Sequence, residues 1–303
     1  MLGSLLLAAS RNPLARRAVS GLPPTRRVVD RFVAGESAAD AVAAVRRLTD
    51  AGLTVTIDHL GEEIRDTEAA AVTAKAYVSL LDALAPLGLG RRAEVSVKLS
   101  AVGQALDESL ALEHARRICA AARDCGTTVT LDMEDHTTVD STLSVLRALR
   151  EDFPDTGVAI QAYLFRSEED CRDLSGSRVR LVKGAYREPA SVAHQSKAEV
   201  DRAYVRCLRI LMAGTGYPMV GTHDDRLIAI TETLADRYGR SQDSYEYQML
   251  YGIRTDKQEA LAGAGATVRV YVPYGDDWYG YFMRRLAERP ANVAFFLRSL
   301  RGK

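Results

Sequence analysis

From about residue 50 onward the chain alternates short β-branched runs with longer stretches of helical periodicity. The apolar runs fall at 54–58, 94–99, 128–132, 158–162, 178–182, 218–222, 245–248 and 267–271. Each is nearly continuous in Val, Ile, Leu or Tyr, the pattern of a strand buried on both faces. The run at 245–248, Tyr-Glu-Tyr-Gln, carries the weakest signal. Amphipathic segments at 67–87, 110–125, 137–151, 167–174, 196–212, 226–238 and 256–262 lie between them. Gly52, Gly126, Gly157, Gly216 and Gly265 sit just before runs, where helix C-termini favour a left-handed residue. Repeated strand–helix units imply parallel strands with right-handed crossovers. Eight such units in about 250 residues match an α/β fold of the (β/α)8, TIM-type barrel class; a doubly wound open sheet is the alternative.

The first 50 residues break this rhythm. Segments 11–20 and 38–51 read as helices, interrupted at Gly21-Leu22-Pro23-Pro24. The expected division is an N-terminal helical arm, 1–50, and a barrel, 51–303. No stretch approaches the roughly 20 apolar residues of a spanning helix. The apolar run at 5–9 precedes its neighbouring arginines rather than following them, so a cleaved signal peptide is not expected.

Charge narrows the function. Lys+Arg and Asp+Glu are both 40, and a neutral balance argues against a dedicated nucleic-acid binder. Only six of the basic residues are Lys, so a Lys at the end of an apolar run stands out. Lys98 and Lys183 are such residues. Each reads as a lysine paired with a carboxylate in the barrel mouth, as an anion contact, or as a Schiff-base amine. Cys119, Cys125, Cys171 and Cys207 form no C-x-x-C pair and read as small hydrophobes.

Barrel chemistry belongs at the carboxyl ends of strands. Those ends deliver Asp58-His59, Lys98, Asp132-Met133-Glu134-Asp135, Gln161, Arg180 to Lys183, Thr222-His223-Asp224-Asp225 and Tyr271. This clustering on one rim is the physical signature of an active site. Asp132 is placed to pair with Lys98, one strand over. His114 and His194 read as surface residues. His59, His136 and His223 follow strands without H-x-H or H-E-x-x-H spacing, so no metal site is expected. Gly88-Leu89-Gly90-Arg91-Arg92-Ala93 follows a helix and precedes a strand, the reverse of the dinucleotide fingerprint. Segment 278–288 reads as a helix following the eighth strand, over the barrel mouth. Tyr281, Arg284, Arg285 and Glu288 share one of its faces, and an Arg pair can grip a carboxylate in forked hydrogen bonds.

Taken together, Asp58-His59-Leu60-Gly61-Glu62, Val97-Lys98-Leu99-Ser100-Ala101, Leu131-Asp132-Met133-Glu134, Gln161-Ala162-Tyr163, Arg180 to Tyr186 and Tyr281-Phe282-Met283-Arg284-Arg285 resemble the proline dehydrogenase family. The motifs run in the family's order over about residues 50–300 and match its short, monofunctional bacterial form. The resemblance implies a distorted (β/α)8 barrel with non-covalent FAD at the strands' carboxyl ends. It implies oxidation of L-proline to 1-pyrroline-5-carboxylate, with electrons passed to a membrane quinone. Lys98, Arg284 and Arg285 would hold the proline carboxylate. Tyr271 and Tyr281 would pack on its ring, with Leu250 nearby. Asp132 would hold Lys98 in place, and a cation such as Arg180 or Lys183 would sit at the flavin edge. Met133, Gln161, Arg180, Lys183, Gly184, Ala185, Tyr186, Thr222 and His223 match flavin-contacting positions. Tyr186 stands where some members carry Trp. Glu62 matches a carboxylate that gates the site by pairing with Arg284.

The location implied is cytoplasmic. The arm's basic residues suggest peripheral contact with anionic lipid at the membrane's inner face, with a purely structural arm the preferred reading. A class I aldolase using Lys98 or Lys183, and a non-catalytic amino-acid-binding barrel, are the rival readings.

Overall fold

The computed structural model describes residues 29–61, 64 and 66–288, with side chains as far as Arg285. Eight parallel strands close a barrel in chain order, with the last pairing with the first. They are β1 (Thr54–His59), β2 (Ala93–Val97), β3 (Val129–Leu131), β4 (Gly157–Gln161), β5 (Arg178–Val182), β6 (Tyr217–Gly221), β7 (Glu246–Leu250) and β8 (Val268–Tyr274). The helices are α1 (Ala38–Asp50), α2 (Thr67–Leu84), α3 (Glu108–Asp124), α4 (Val139–Arg150), α5 (Ser167–Asp173), α6 (Lys197–Ala213), α7 (Asp225–Tyr238), α8 (Thr255–Gly263) and α9 (Trp278–Glu288).

Local chemistry sets the boundaries. Ser37 and Asp40 form a reciprocal capping box at the start of α1, and Ser196 and Glu199 do the same for α6. Pro86 cannot donate an amide hydrogen bond, so α2 ends at Leu84 and the chain turns through a short 3-10 segment, Ala85–Leu87. The segment Thr67–Leu87 is long and apolar enough to cross a membrane by length and composition, contrary to the sequence expectation. In the fold, Ala70, Ala74, Tyr77, Leu80, Leu81 and Leu84 of this helix are buried against the rest of the protein.

Gly52, Gly126 and Gly265 take left-handed backbone, as expected. Gly157 and Gly216 do not. They are small for another reason: an added Cβ at Gly157 would meet Thr130 Oγ1 at 2.9 Å, and at Gly216 the Ser177 backbone at 2.2 Å. His114 is buried and its Nδ1 lies 2.9 Å from the Val102 carbonyl, so the surface reading of that residue is corrected.

Two helices depart from a regular barrel. Helix α1 packs against α2, β1 and β8, the outer position that a helix following β8 would take. Helix α9 instead reaches the mouth, where Tyr281, Arg284 and Arg285 line the cavity. An aromatic cluster supports it: Phe282 is 6.3 Å from Phe32 and 6.0 Å from Trp278, ring to ring. Val29, Val33 and Leu60 complete that cluster. The helix expected at 11–20 lies outside the described residues.

The barrel interior overturns one expectation. The strands are not apolar on both faces. Their inward positions carry Glu94 and Ser96 on β2, Arg178 and Arg180 on β5, Glu246 and Gln248 on β7, and Arg269 and Tyr271 on β8. Where a barrel of this class ordinarily packs branched aliphatic side chains, this one packs ion pairs. Arg178 Nη2 donates to Glu94 Oε2 at 2.8 Å. Arg269 donates to both Glu246 oxygens, at 2.7 and 3.0 Å. Thr130 donates to Glu94, and Gln248 to Glu246.

Breaking a buried pair by removing one partner leaves an uncompensated charge and typically costs about 3–5 kcal/mol. Arg269→Met is therefore expected to lose about that much stability in denaturant unfolding. The double variant Glu246→Gln/Arg269→Met is expected to lose less than the two single variants combined.

Candidate active site

At the carboxyl ends of the strands lies a cavity of about 820 Å³. Among the groups lining it is Arg180, a buried residue at the middle of β5. The Arg180 Nε donates to Gln248 Oε1 at 2.6 Å and Nη1 to Ser96 Oγ at 2.7 Å. Nη1 also donates to Asp132 Oδ1. Nη2 is buried and makes no hydrogen bond among the described residues. Arg180 thus joins three strand ends while keeping one donor unspent.

Asp132 is the hub of the next layer. It accepts from Ser96 Oγ at 2.8 Å and from the Tyr271 hydroxyl at 2.6 Å. Burial alone would raise its pKa, but Arg180 and Lys98 outweigh that and hold the carboxyl below its ordinary value. Burial, reinforced by the Asp132 charge, holds the Tyr271 phenol well above its ordinary value. Tyr271 therefore stays protonated and serves as the donor.

Lys98 sits above this pair. Its Nζ donates to Asp58 Oδ2 at 2.6 Å and to the Tyr271 hydroxyl at 3.3 Å. It lies 3.7 Å from Asp132 Oδ2. The sequence reading gave Asp132 the task of holding Lys98. The shorter bond belongs to Asp58. Burial raises the Asp58 pKa in spite of Lys98.

The opposite wall carries small residues and a second cation. Gly184 follows β5 at φ 115°, and an added Cβ there would lie 2.5 Å from the Tyr163 ring. Lys183 Nζ donates to Asp201 at 2.5 Å and to Asp224 at 3.4 Å. A hydrogen bond from Arg226 is the main influence holding the Asp224 carboxyl well below its ordinary value. His223 Nε2 accepts from the Leu250 amide at 2.9 Å, so its proton resides on Nδ1 whenever the ring is neutral.

The sequence-derived site residues converge here. Lys98, Tyr271, Tyr281, Arg284, Arg285 and Leu250 line this one cavity, and so does Asp132. Met133, Gln161, Arg180, Lys183, Gly184, Ala185, Tyr186, Thr222 and His223 line it as well. Glu62, expected to act as a gate carboxylate, lies outside the described residues. The reading placed Asp58 on the rim but not its bond to Lys98, and it missed Ser96 and Gln248 as site residues. Their signal was available: polar residues at alternate positions within apolar runs face one way in a strand. Among the described residues no group of three or more His, Cys, Asp or Glu could hold a metal ion.

The depressed Asp132 pKa makes a stability prediction. A carboxylate held below its unfolded value contributes stability that is present above the ordinary range near about 3.9, and lost as pH falls further. Asp132→Asn is expected to be less stable than the parent protein at pH 7, with the gap closing below about pH 4. Denaturant titrations at both pH values measure it.

Comparison with known proteins follows the same lines. A family model described as proline dehydrogenase matches residues 41–298. Proline dehydrogenase 1 of Bacillus subtilis (strain 168) is 42% identical over 281 residues, covering 92% of each chain. Proline dehydrogenase of Deinococcus radiodurans is 44% identical over 280 residues, covering 90% of each. The crystal structure of proline utilization A from Bdellovibrio bacteriovorus superposes with a TM-score of 0.80 at 26% identity, over 86% of this chain and 32% of that one. The match spans about a third of that longer protein. The chain belongs to the proline dehydrogenase family.

Proposed function

We propose that this chain binds FAD non-covalently, oxidises L-proline to 1-pyrroline-5-carboxylate and passes the electrons to a quinone. The observation that carries the reading is the meeting of Lys98, Arg284 and Arg285 with Tyr271 and Tyr281 on one cavity. A carboxylate needs cations to leave water, and charge-assisted hydrogen bonds contribute about 1.5–3 kcal/mol each. The two tyrosines supply apolar walls for a small ring.

The remaining lining fits a flavin. The unspent Arg180 donor suits an acceptor atom placed above it, and Gly184, Ala185 and Ala159 leave flat apolar space. FAD, when bound, supplies the two-electron acceptor for the C–H bond next to the proline nitrogen. In this reading Met133, Gln161, Lys183, Tyr186, Thr222 and His223 hold it. Arg180 stabilises the negative charge that reduction brings to its edge. The chain's own work is positioning. Lys98 and the Arg pair orient the carboxylate, and Asp58 and Tyr271 orient Lys98. Tyr271 is held protonated and Asp132 is occupied by Arg180, so neither is a ready base, and the proline amine loses its proton to solvent.

The aldolase reading is disfavoured by geometry. Lys98 and Lys183 each donate to a carboxylate within 2.6 Å, whereas Schiff-base chemistry needs a neutral, desolvated amine. The proposed location is cytoplasmic, with peripheral contact where electrons reach a membrane quinone.

Anaerobic addition of L-proline to the purified yellow protein is expected to bleach its flavin spectrum. A protein that is colourless and cannot be reconstituted with FAD would overturn the reading. Arg284→Lys loses the planar fork, so its half-saturating proline concentration is expected to rise roughly ten-fold or more, with the oxidised spectrum unchanged.

A further inference from the structure

The foot of the barrel holds a second cavity, of about 600 Å³. Arg178 and Tyr217, which line it, are the first residues of β5 and β6. It therefore opens at the amino ends of the strands, away from the site described above. Five guanidinium groups line it against two carboxylates, Asp155 and Asp243.

Most of those guanidiniums are committed. Arg269 is held by Glu246, and Arg91 pairs with Asp155. Arg240 spends its donors on the carbonyls of Leu211, Met212, Gly214, Gly216 and Ser244.

Arg178 and Arg150 are different. Arg178 is 9% exposed, and only its Nη2 is engaged, by Glu94 Oε2 at 2.8 Å and Met219 Sδ at 3.6 Å. Its Nε is buried with no hydrogen-bond partner among the described residues. A buried donor without a partner is costly, and the Tyr217 ring, 5.1 Å from the guanidinium carbon, supplies none. Arg150 donates Nε to the Thr156 carbonyl at 3.0 Å and Nη1 to Ser177 Oγ at 2.5 Å. No salt bridge to Arg150 forms among the described residues. Burial pushes its pKa below the ordinary value, and the charge of Asp155 nearby only partly offsets that. Ser177 links the two, lying next to Arg178 in sequence and bonded to Arg150.

We propose that this foot cavity is a second binding site, for the phosphate group of inorganic phosphate or of a small phosphorylated molecule, gripped by Arg178 and Arg150 with Ser177 between them. A doubly charged oxyanion offers several acceptors to donors that otherwise lack them, and guanidiniums suit its geometry. The site does not depend on the flavin or on proline.

The test is calorimetric titration of the full chain with inorganic phosphate, in a buffer whose only other anion is chloride, near pH 7. The expected result is one saturable site whose affinity falls ten-fold or more in Arg150→Met and in Gly176→Asp. Gly176 lines the cavity, is exposed, and has room for a side chain, since an added Cβ would lie 3.5 Å from Thr215 Oγ1. Gly176→Asp brings a repelling carboxylate without removing any existing contact, so it decides the matter if Arg150→Met does not fold. Absence of saturable binding, or unchanged affinity in Gly176→Asp, would overturn the proposal. So would binding lost only in Arg226→Met, because Arg226 lines the opposite mouth.

Discussion

The structure depends on one constraint: four carboxylates and four cations share the inside of a closed barrel. Asp58, Glu94, Asp132 and Glu246 face Lys98, Arg178, Arg180 and Arg269. Taking so many charges out of water is costly unless each finds a partner. The pairs are linked, because Glu94 lies 2.8 Å from Arg178 and 3.9 Å from Arg180, and Arg180 reaches Asp132. The result is a ladder of alternating charge from the foot of the barrel to its mouth. An apolar core would fill the same space without that desolvation cost. What the ladder supplies is position: Arg180 and Lys98 are fixed by several bonds each, and functional groups held that way need little reorganisation when charge develops beside them.

Displacement of the last helix completes the site. Helix α1 takes the outer place beside β8 and β1, which releases α9 to the mouth. There Arg284 and Arg285 line the same cavity as Lys98. The aromatic cluster of Phe32, Trp278 and Phe282 fixes α9 in that place. The sequence on either side of the barrel is therefore part of the catalytic arrangement through packing rather than chemistry.

Much of this was legible beforehand. Strand–helix alternation predicted eight strands, and each forms within a few residues of its expected limits. The rule that function gathers at strand carboxyl ends led to Lys98, Asp132, Lys183 and Tyr271 without a structure. What escaped was the interior. Glu94, Ser96, Arg178 and Gln248 sit in runs that read as apolar because their neighbours Val95, Val97, Val179 and Tyr247 dominate the average. Period-two alternation carried the information, and continuity of the apolar residues masked it. Asp58 was placed on the rim, but its role as the partner of Lys98 escaped for a different reason. Its partner, Lys98, lies 40 residues away on the next strand, and strand register decides that meeting. His114 escaped because its partner is a backbone carbonyl, which no side-chain pattern announces.

The central claim is that the fixed cations select the substrate through its carboxylate. Anaerobic flavin reduction by L-proline, compared with reduction by pyrrolidine in the parent protein and in Lys98→Met, tests it most directly, since pyrrolidine has the ring and nitrogen without the carboxylate. The account predicts that the parent saturates with proline at far lower concentration than with pyrrolidine. It predicts that Lys98→Met narrows this difference ten-fold or more, chiefly by weakening proline. Equal saturation by the two compounds in the parent, or an unchanged difference in Lys98→Met, would contradict it.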